Sequence, residues 1–589
     1  MARQEKKKDV VIVGLGWTGA IAGMELALEG LDIVALERGR DQNIVPEFKY
    51  PNQIDELTYG VRFMNMQHPR QQTVTVRRND GEVALPYRVL GSFLPANGVG
   101  GAGTHWNGLN WRPLVAELKL RSHIRDNWGE QIIPDHMTID DYPVDYDELE
   151  PFFTRFEKVA GISGKAGNIK GVIQEGGNPF EGWRSEDYPM PPLPQTYDST
   201  KFEAAARAMG YHTFPAPAGI ASTSYVNPYG MQMGPCNFCG FCERFGCYQY
   251  SKSMPQNTIL DALKRMPNFS YRTHAQVMRV ELAPDGKTAT GVTYFDETTQ
   301  EEVFQPADIV ILAAFQLNNV HLMLLSGMAP VYNPVTGEGV LGKNYGYQMT
   351  GGTTMFFKED NFNPFVGHGA NGTCIDDFAI SQIDFGKEGF IGGAYWRSGT
   401  YNGQPIRTMP LPSGTPSWGA GWKQAIGEWY GHAMSISTHG STMVYKNNHL
   451  DLDPTYKNQH GQPLMRMTHN WDDNDLRMTQ FMKGKVEEVA RTMNPDLMQS
   501  SFKKPGDQYD VRPYQSTHTT GGHIMSETPQ TGVVNRYGQM WGQHNVFAFG
   551  AGNFVQNTQY NPTGLVGGLA YHTVNAIRTQ YLSNPRPLV

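Results

Sequence analysis

The distribution of apolar residues predicts buried strands and amphipathic helices in two parts of the chain. Residues 9–13 form a short apolar run after one acid, which is typical of a buried parallel strand, and residues 32–36 form a similar run. Between them, residues 20–29 have the pattern of a helix. Farther along, residues 306–314 predict another buried strand, and residues 317–325 predict an amphipathic helix after it. The chain is therefore predicted to contain an α/β domain with a parallel sheet.

The turn between the first strand and the first helix carries a nucleotide-binding pattern. Gly14, Gly16 and Gly19 follow the strand directly, and Glu37 lies at the end of the second strand. In this context the glycines allow a tight turn and a close approach to a pyrophosphate, and the acid binds ribose hydroxyls. An ordinary strand-to-helix turn is the alternative, but strand, glycines, helix and acid occurring together favour dinucleotide binding.

Four of the five cysteines are clustered within twelve residues. They are Cys236, Cys239, Cys242 and Cys247, with the spacing C-x2-C-x2-C-x4-C. Short loops make poor disulfides, whereas closely spaced thiolates can converge on one soft metal centre. A structural zinc site is the alternative, but such sites usually have two C-x-x-C pairs separated by a longer segment. The spacing therefore favours an iron–sulfur cluster.

Composition limits the classes of function. At 589 residues the chain is long enough for two large domains. Its formal net charge of −8 argues against a nucleic-acid partner. There is no run of about 20 apolar residues, as a membrane span would require, and no apolar segment of a secretory signal near Met1. We therefore expect the chain to reach a membrane or another compartment only through a partner.

Three further runs complete a family pattern. They are the glycine-rich residues 98–108, which include Thr104-His105-Trp106, the histidine-containing residues 516–525, and residues 550–564 near the end of the chain. Together with the N-terminal glycines and the strand at 306–314, they resemble the glucose–methanol–choline (GMC) oxidoreductases, a family of FAD enzymes. The resemblance extends over nearly the whole chain.

The chain departs from the family pattern at two positions. After the late strand the family commonly has Ala-Ala-Gly, and Phe315 stands in place of that glycine. Near the last strand, Gly550 stands where an acidic residue is usual. Both departures concern local contacts of the flavin rather than the class of enzyme.

The resemblance implies an α/β fold in which a Rossmann-like FAD-binding domain of the GMC type carries an inserted α+β substrate-binding domain. The FAD-binding domain is expected from residues 1–149, 236–345 and 509–589, with the cysteine-bearing segment at 233–250, and the substrate-binding domain from residues 150–235 and 346–508.

The resemblance also implies the residues of the active site. His518 matches the family's catalytic base, with His523 as the alternative, and Asn561 stands where the family places its second histidine or asparagine. Neutral histidine suits this role, because alcohol oxidation by hydride transfer needs a base for the hydroxyl proton. His105, in a run similar to that of pyranose oxidases, is expected to bond covalently to the flavin 8α-methyl group, with a noncovalent contact as the alternative. The residues expected to bind the cofactor are Gly14, Gly16, Gly19, Glu37, Gly100, Gly103, His105, Asn107, Gly550 and Asn553.

The run around Cys236 is similar to that of membrane-bound bacterial gluconate dehydrogenases within the family. This similarity implies oxidation of a sugar acid, D-gluconate to 2-dehydro-D-gluconate, with electrons passing through an iron–sulfur cluster, of the three-iron type in preference to four, to a cytochrome c. It further implies a small subunit with a twin-arginine signal and a multihaem cytochrome c subunit. We accordingly expect a periplasmic location, attached to the cytoplasmic membrane through these partners.

Three other functions remain open at this point. One is a different sugar, polyol or glycoside dehydrogenase of the same architecture. Another is a sugar oxidase like pyranose oxidase, against which the cysteines argue because an oxidase passes electrons to O2. The last is an electron-transfer subunit without a substrate, against which His518 and Asn561 argue. The spacing also does not choose a carboxylate-binding cation among Arg112, Arg397 and Arg407.

Overall fold

The computed structural model describes residues 3–89, 93–399, 406, 410–513 and 516–588. Within these residues the strands are β1 Arg3–Gln4, β2 Lys8–Val13, β3 Ile33–Leu36, β4 Val74–Arg77, β5 Leu85–Pro86, β6 Asn168–Ile169, β7 Val172–Ile173, β8 Thr213–Pro215, β9 Tyr225–Val226, β10 Gln232–Met233, β11 Phe269–Arg272, β12 Ala275–Leu282, β13 Ala289–Asp296, β14 Glu301–Leu312, β15 Gly346–Tyr347, β16 Met349–Phe356, β17 Thr373–Ile375, β18 Ala394–Gly399, β19 Ala433–Gly440, β20 His449–Lys457, β21 Pro463–Thr468, β22 Leu497–Ser501, β23 Thr519–Thr520 and β24 Val546–Ala548. The α-helices are α1 Trp17–Leu28, α2 Ile44–Glu47, α3 Val115–Leu118, α4 Leu120–Trp128, α5 Tyr146–Ala160, α6 Tyr197–Ala208, α7 Asp261–Leu263, α8 Gln316–Leu325, α9 Phe385–Glu388, α10 Ala420–Trp429, α11 Asp473–Thr492 and α12 Thr563–Ala576.

The largest sheet joins strands from both ends of the chain and from its middle. Its order is β11-β3-β2-β14-β13-β12, and β1 and β24 also pair with β14. Strands β11, β3, β2, β14 and β24 are parallel, so their carboxyl ends lie at one edge. The strands predicted at 9–13 and 32–36 are confirmed as β2 and β3. The resulting β2–α1–β3 unit has the Rossmann-like arrangement that the glycine pattern predicted.

Helix α1 begins earlier than the predicted start at residue 20. A side chain on Gly19 would lie 2.1 Å from the carbonyl oxygen of Gly14. Because neither residue has a side chain, the first turn of α1 packs directly against the turn after β2. The helix starts at Trp17, immediately after Gly16.

Strand β14 is longer than the predicted strand at 306–314. Its first half pairs with β13 in an antiparallel hairpin, and its second half is parallel to β2 and β24. The exposed Glu301 and Glu302 and the polar Gln305 conceal the first half from a search for apolar runs. The helix predicted at 317–325 is confirmed as α8.

A second sheet faces the first across the interior of the protein. Its order is β22-β16-β19-β18-β17-β8, and every strand comes from the ranges predicted for the substrate-binding domain. A smaller sheet, β20-β21-β4-β5, combines strands from both predicted domains. The predicted boundary between residues 149 and 150 falls inside α5.

Helix α5 is anchored to the FAD-binding part of the chain by packing and by charge. Phe153 and Phe156 lie against glycines of α12, where added side chains would come within 2.4 Å of the rings. On another side, the buried Arg112 pairs with Glu150 at 3.0 Å and with Glu157 at 2.7 Å. Loss of one partner from such a buried pair typically costs about 3–5 kcal/mol, because the other charge is left uncompensated.

The longest described helix, α11, has 20 residues but carries many charged side chains. None of the described helices combines the length and the apolar character needed to cross a bilayer.

Candidate active site

A cavity of about 520 Å³ opens where the parallel strands of the large sheet end. The turns after β2, β3 and β14 form one wall, and the face of the second sheet forms another. Ligands of open α/β sheets bind at this edge, outside the carboxyl ends of the strands. The residues that the second sheet and the C-terminal segment contribute include Thr350, Arg397, His439, His518 and Asn561.

The two glycine-rich runs pack backbone to backbone below the cavity. A side chain on Gly101 would lie 3.0 Å from the Cα atom of Gly16, and a side chain on Gly14 would lie 2.7 Å from the carbonyl oxygen of Ala313. Gly14 also has φ +93°, a left-handed conformation that favours glycine. These contacts explain why glycine occupies these positions. The absence of side chains there leaves backbone groups exposed to a ligand.

Most of the predicted cofactor-binding residues line the cavity. Glu37 lies there at the end of β3, where its carboxylate accepts hydrogen bonds from the backbone N–H groups of Leu15 at 3.1 Å and Gly39 at 2.9 Å. Gly19, Gly100 and Asn553 do not line the cavity. The predicted residues that do are Gly14, Gly16, Glu37, Gly103, His105, Asn107 and Gly550.

The side chain of Asn553 does not line the cavity and forms hydrogen bonds within the protein. Its Nδ2 donates to the carbonyl oxygen of Ala548 at 2.8 Å, and its Oδ1 contacts Nδ1 of His523 at 2.9 Å. His523 is buried and does not line the cavity. Of the two histidines considered as the base, His518 is the one that faces the cavity.

The two departures from the family pattern also lie at the cavity. Phe315 has φ +73° and ψ 150°, so the chain adopts there a conformation that glycine tolerates most easily. This conformation explains the glycine of the common pattern. Gly550 has φ +101°, and no atom lies within 4 Å of where its side chain would be, so the cavity remains open at this position.

Gln348 sets the tautomer of His518. Its Nε2 donates to the carbonyl oxygens of Thr558 at 3.1 Å and Gln559 at 2.6 Å, which turns its Oε1 towards His518. Because an amide oxygen only accepts hydrogen bonds, the proton of His518 lies on Nδ1, which donates to Gln348 Oε1. The Nε2 atom of His518 is therefore the unprotonated one.

Hydrogen bonds also fix the orientation of the Asn561 amide group. The hydroxyl of Tyr395 donates to Asn561 Oδ1 at 2.7 Å, so the Asn561 amide group points to His518, with Nδ2 3.0 Å from Nε2. The three side chains are brought together from β18 and from two separate segments near the C-terminus. An alcohol oxygen that displaces this contact and approaches both atoms would meet one hydrogen-bond donor and one base.

His439 completes this cluster and was not found from the sequence. It lies opposite Tyr395 in the register of β18 and β19, stacks on that ring at 5.0 Å, and lies 5.8 Å from the ring of His518. Its Nδ1 contacts Oε1 of Gln348 at 3.2 Å. The sequence offered no signal for His439, Tyr395 or Gln348, because each is an isolated residue in an ordinary strand or turn.

Burial keeps the clustered histidines neutral. It lowers the pKa of His518 to about 4. It also lowers the pKa of His439 well below its usual range, and the charge of Arg397, together with that of His518 when it is protonated, adds to that shift. At pH 7 His518 is therefore in the neutral form that a general base requires.

His105 also lines the cavity, in the glycine-rich loop. Burial lowers its pKa to about 3, and the charges of Lys252 and Arg244 add to the shift. Its buried Nε2 has no hydrogen-bond partner among the described residues. A neutral, unpartnered nitrogen that lines the cavity can act as a nucleophile or contact an aromatic ring system.

The cysteine loop abuts the loop that carries His105. The backbone N–H of Arg244 donates to the carbonyl oxygen of His105 at 2.7 Å. The buried ammonium of Lys252 donates to the carbonyl oxygens of Trp106 at 2.9 Å, Cys242 at 2.8 Å and Phe245 at 2.6 Å. Lys252 thus ties the two loops together at the edge of the cavity.

The four thiols lie close enough to influence each other's charge. Burial raises the pKa of Cys242, Lys252 opposes this shift, and the thiols at 236, 239 and 247 add to it. Burial also raises the pKa of Cys236 to about 12. A bound metal ion reverses this preference, since a coordinating thiol is deprotonated.

The donor set of this loop suits a soft metal centre, although the thiols are not gathered around one point. Backbone N–H groups donate to the sulfur of Cys236 at 3.3 Å and to the sulfur of Cys247 at 3.4 Å, as is common around cluster ligands. Across the described ranges, no group of three or more His, Cys, Asp or Glu side chains is arranged to hold a metal ion.

The cavity suits FAD in its chemistry. The glycine loops present backbone groups for a pyrophosphate, Glu37 lies where ribose hydroxyls bind, and His105 offers an unpartnered nitrogen. At the far end, the neutral His518 and Asn561 face the space in which a substrate would meet the cofactor.

Comparisons with known proteins agree with this arrangement. Models of the GMC oxidoreductase family match residues 218–349 and 445–570. The chain is 49% identical to the gluconate 2-dehydrogenase flavoprotein of Pantoea cypripedii, over 100% of this chain and 96% of that protein. It is 22% identical to the 2-methyl-1,2-propanediol dehydrogenase of Mycolicibacterium austroafricanum, over 99% and 97% of the two chains. Formate oxidase of Aspergillus oryzae has a similar fold, with a TM-score of 0.59 at 13% identity, over 99% of this chain and 100% of that one.

These matches confirm the predicted fold class, a Rossmann-like FAD-binding unit with a second sheet that closes the site. They also confirm FAD as the cofactor. The chain belongs to the GMC oxidoreductase family, as its glycine and histidine runs predicted.

Proposed function

We propose that the chain is a dehydrogenase that oxidises the sugar acid D-gluconate at C2 to 2-dehydro-D-gluconate. The observation that carries the proposal is the oriented pair of His518 and Asn561 at the cavity. The 49% identity to a gluconate 2-dehydrogenase flavoprotein, which extends over the whole chain, supports the choice of substrate.

FAD bound in the cavity supplies the acceptor for the hydride that leaves the substrate carbon. Asn561 Nδ2 donates a hydrogen bond to the substrate hydroxyl oxygen and holds it next to His518. His518 Nε2 takes the hydroxyl proton, while Gln348 keeps the opposite nitrogen protonated. Tyr395 fixes the amide of Asn561 and so fixes the position of the hydroxyl.

We further propose that His105 is bonded to the 8α-methyl group of the flavin. Its unpartnered Nε2 and its neutral state support this proposal. Such a bond would prevent loss of the cofactor.

The proposed route for electrons leads through an iron–sulfur cluster held by Cys236, Cys239, Cys242 and Cys247 to a cytochrome c. A cluster carries one electron at a time, as a haem accepts them, and a three-iron cluster would need three of the four thiolates. The hydrogen bonds that join the cysteine loop to the backbone of His105 and Trp106 support a relay close to the flavin.

The proposed assembly contains a small subunit with a twin-arginine signal and a multihaem cytochrome c subunit. Through them the chain would be periplasmic and attached to the cytoplasmic membrane. The name of the Pantoea relative, the flavoprotein of gluconate 2-dehydrogenase, fits a chain that works as one component of a larger enzyme.

The first prediction tests the reaction itself. Without oxygen, D-gluconate should reduce the flavin of the purified protein faster than aldoses, polyols or glycosides at equal concentration, followed by flavin absorbance. Preference for a polyol or glycoside would favour a different dehydrogenase of the same architecture. Stoichiometric peroxide in air would favour an oxidase, and reduction by no substrate would favour an electron-transfer subunit.

The second prediction concerns the base. His518→Ala should lower the rate of flavin reduction by roughly 10²–10⁴-fold, the usual contribution of a general base. FAD content should remain normal, because the His518 side chain faces substrate. The exposed His212 provides a control, since His212→Ala should leave the rate unchanged.

The same base predicts a pH profile. Because the pKa of His518 is lowered to about 4, the base stays neutral through the neutral range, and the rate of flavin reduction should fall only as the pH approaches 4. Near-normal flavin reduction in His518→Ala would assign the base to another residue.

The third prediction concerns the flavin bond. After acid precipitation, FAD should stay with the parent protein but appear in the supernatant of His105→Ala. Extraction of the flavin from the parent by acid would disprove the covalent bond and leave the dehydrogenase assignment intact.

The fourth prediction concerns the cysteine loop. Cys242→Ser or Cys247→Ser should lose iron and acid-labile sulfide together and reduce cytochrome c slowly, while D-gluconate still reduces the flavin. Cys374, the remaining cysteine, is buried in β17 away from the loop, so Cys374→Ala should keep both iron and sulfide. Zinc without iron in the parent protein would show that the loop is a structural site.

A further inference from the structure

Arg397 lines the cavity and forms no ion pair with the described carboxylates. Arg397 lies on β18 two residues after Tyr395, so both side chains lie on the same face of the sheet. Both Arg397 and His439, the partner of Tyr395 on the neighbouring strand, line the cavity. The alternation of side chains along β18 therefore directs a guanidinium to the wall on which His439 and Tyr395 lie.

The hydrogen bonds of Arg397 leave most of its guanidinium available. Nη1 donates to the carbonyl oxygen of Asn371, and Gly372 lies against the aliphatic part of the side chain. The buried Nε has no hydrogen-bond partner in the described part of the chain. Among the described residues, no carboxylate lies within 4.0 Å of this guanidinium to form an ion pair. Its charge acts on the buried carboxyl of Asp198, which forms no ion pair with Arg397. A half-buried cation in this state gains from a hydrogen-bonded anion.

The other candidate cations are committed elsewhere. Arg38 lines the cavity at the end of β3, next to Glu37, and donates to Asn97 Oδ1 at 3.0 Å and Gln67 Oε1 at 2.6 Å. Arg112 is enclosed by Glu150 and Glu157 and does not line the cavity. Arg244 lines the cavity but pairs with Glu243 at 3.0 Å and lies over the ring of Phe63. Arg407, the third cation considered from the sequence, lies outside the described residues.

Arg397 is also close to the reacting groups. Its positive charge acts on His439, whose ring lies 5.8 Å from that of His518. In a 2-hydroxy acid the carboxylate is bonded directly to the carbon that loses hydride. A cation that recognises this carboxylate must therefore lie in the same cavity as the base, which is where Arg397 is found.

We propose that Arg397 binds the carboxylate of the substrate and makes the site selective for 2-hydroxy acids over neutral sugars and polyols. This inference rests on the proposed function and specifies how the site recognises its substrate class. A guanidinium can hold a carboxylate through two parallel hydrogen bonds, which fixes the orientation of C2 as well as its distance from His518.

The test compares D-gluconate with its neutral amide, D-gluconamide, in the parent protein and in Arg397→Met and Arg397→Lys. With D-gluconate, kcat/KM of Arg397→Met should fall about 10- to 100-fold, the range expected for loss of hydrogen bonds to a charged group. Most of the loss should be in KM, because the carboxylate does not react. The rate with D-gluconamide should change little, and Arg397→Lys should recover part of the lost affinity.

A binding measurement separates recognition from turnover. Titration of the oxidised protein with 2-ketogluconate, followed by the change in flavin absorption, should give a weaker Kd for Arg397→Met by a similar factor. Arg477 is an exposed arginine of α11, so Arg477→Gln should match the parent in both measurements. The FAD content of each variant shows whether the fold is retained.

The outcomes distinguish the two proposals. If the parent oxidises D-gluconate and Arg397→Met keeps the same preference for gluconate over gluconamide, Arg397 is not the carboxylate site and the proposed function stands. If D-gluconate does not reduce the parent protein, both proposals are overturned. If Arg397→Met loses FAD, the uncharged Arg397→Gln takes its place, and an unchanged Kd for 2-ketogluconate in Arg397→Gln would overturn the carboxylate role.

Discussion

The parallel pairing of β14 with β2 on one side and β24 on the other is the interaction on which the site depends. It aligns three segments that are hundreds of residues apart, so that the turns after these strands meet at one edge of the sheet. The contact is close: a side chain on Gly14 would collide with the backbone at Ala313. Backbone groups rather than side chains therefore face the cofactor, and the glycines are required by packing as well as by the ligand.

The second sheet completes the site by forming its other wall. Once β18 and β19 cover the cavity, burial holds His518 and His439 in their neutral forms. Gln348 and Tyr395 then fix which atom of His518 accepts a proton and which atom of Asn561 donates a hydrogen bond. The role proposed for His518 as a base thus depends on amide and phenol groups that would not react themselves.

Two cations near the cavity, Lys252 and Arg397, differ in the groups that compensate their charge. Near the cysteine loop, the buried ammonium of Lys252 is satisfied by three carbonyl oxygens and ties the loop to the flavin side. On the second sheet, Arg397 acts on the buried carboxyl of Asp198 but forms no ion pair with a carboxylate among the described residues. The first cation is used to build the structure, whereas the second has capacity for an anionic ligand.

The sequence by itself determined the family and the nucleotide-binding unit, and it led to the predictions for His518 and Asn561, because these depend on contiguous runs such as the glycines from Gly14 to Gly19. It did not reveal His439, Tyr395 or Gln348, nor distinguish Arg397 from Arg112, because each is an isolated residue whose role comes from strand register and burial. It also assigned Asn553 to the cofactor, although its side chain is engaged by Ala548 and His523. Contiguous motifs are readable in the sequence because backbone geometry imposes their spacing, whereas contacts between distant segments were decided by the tertiary structure.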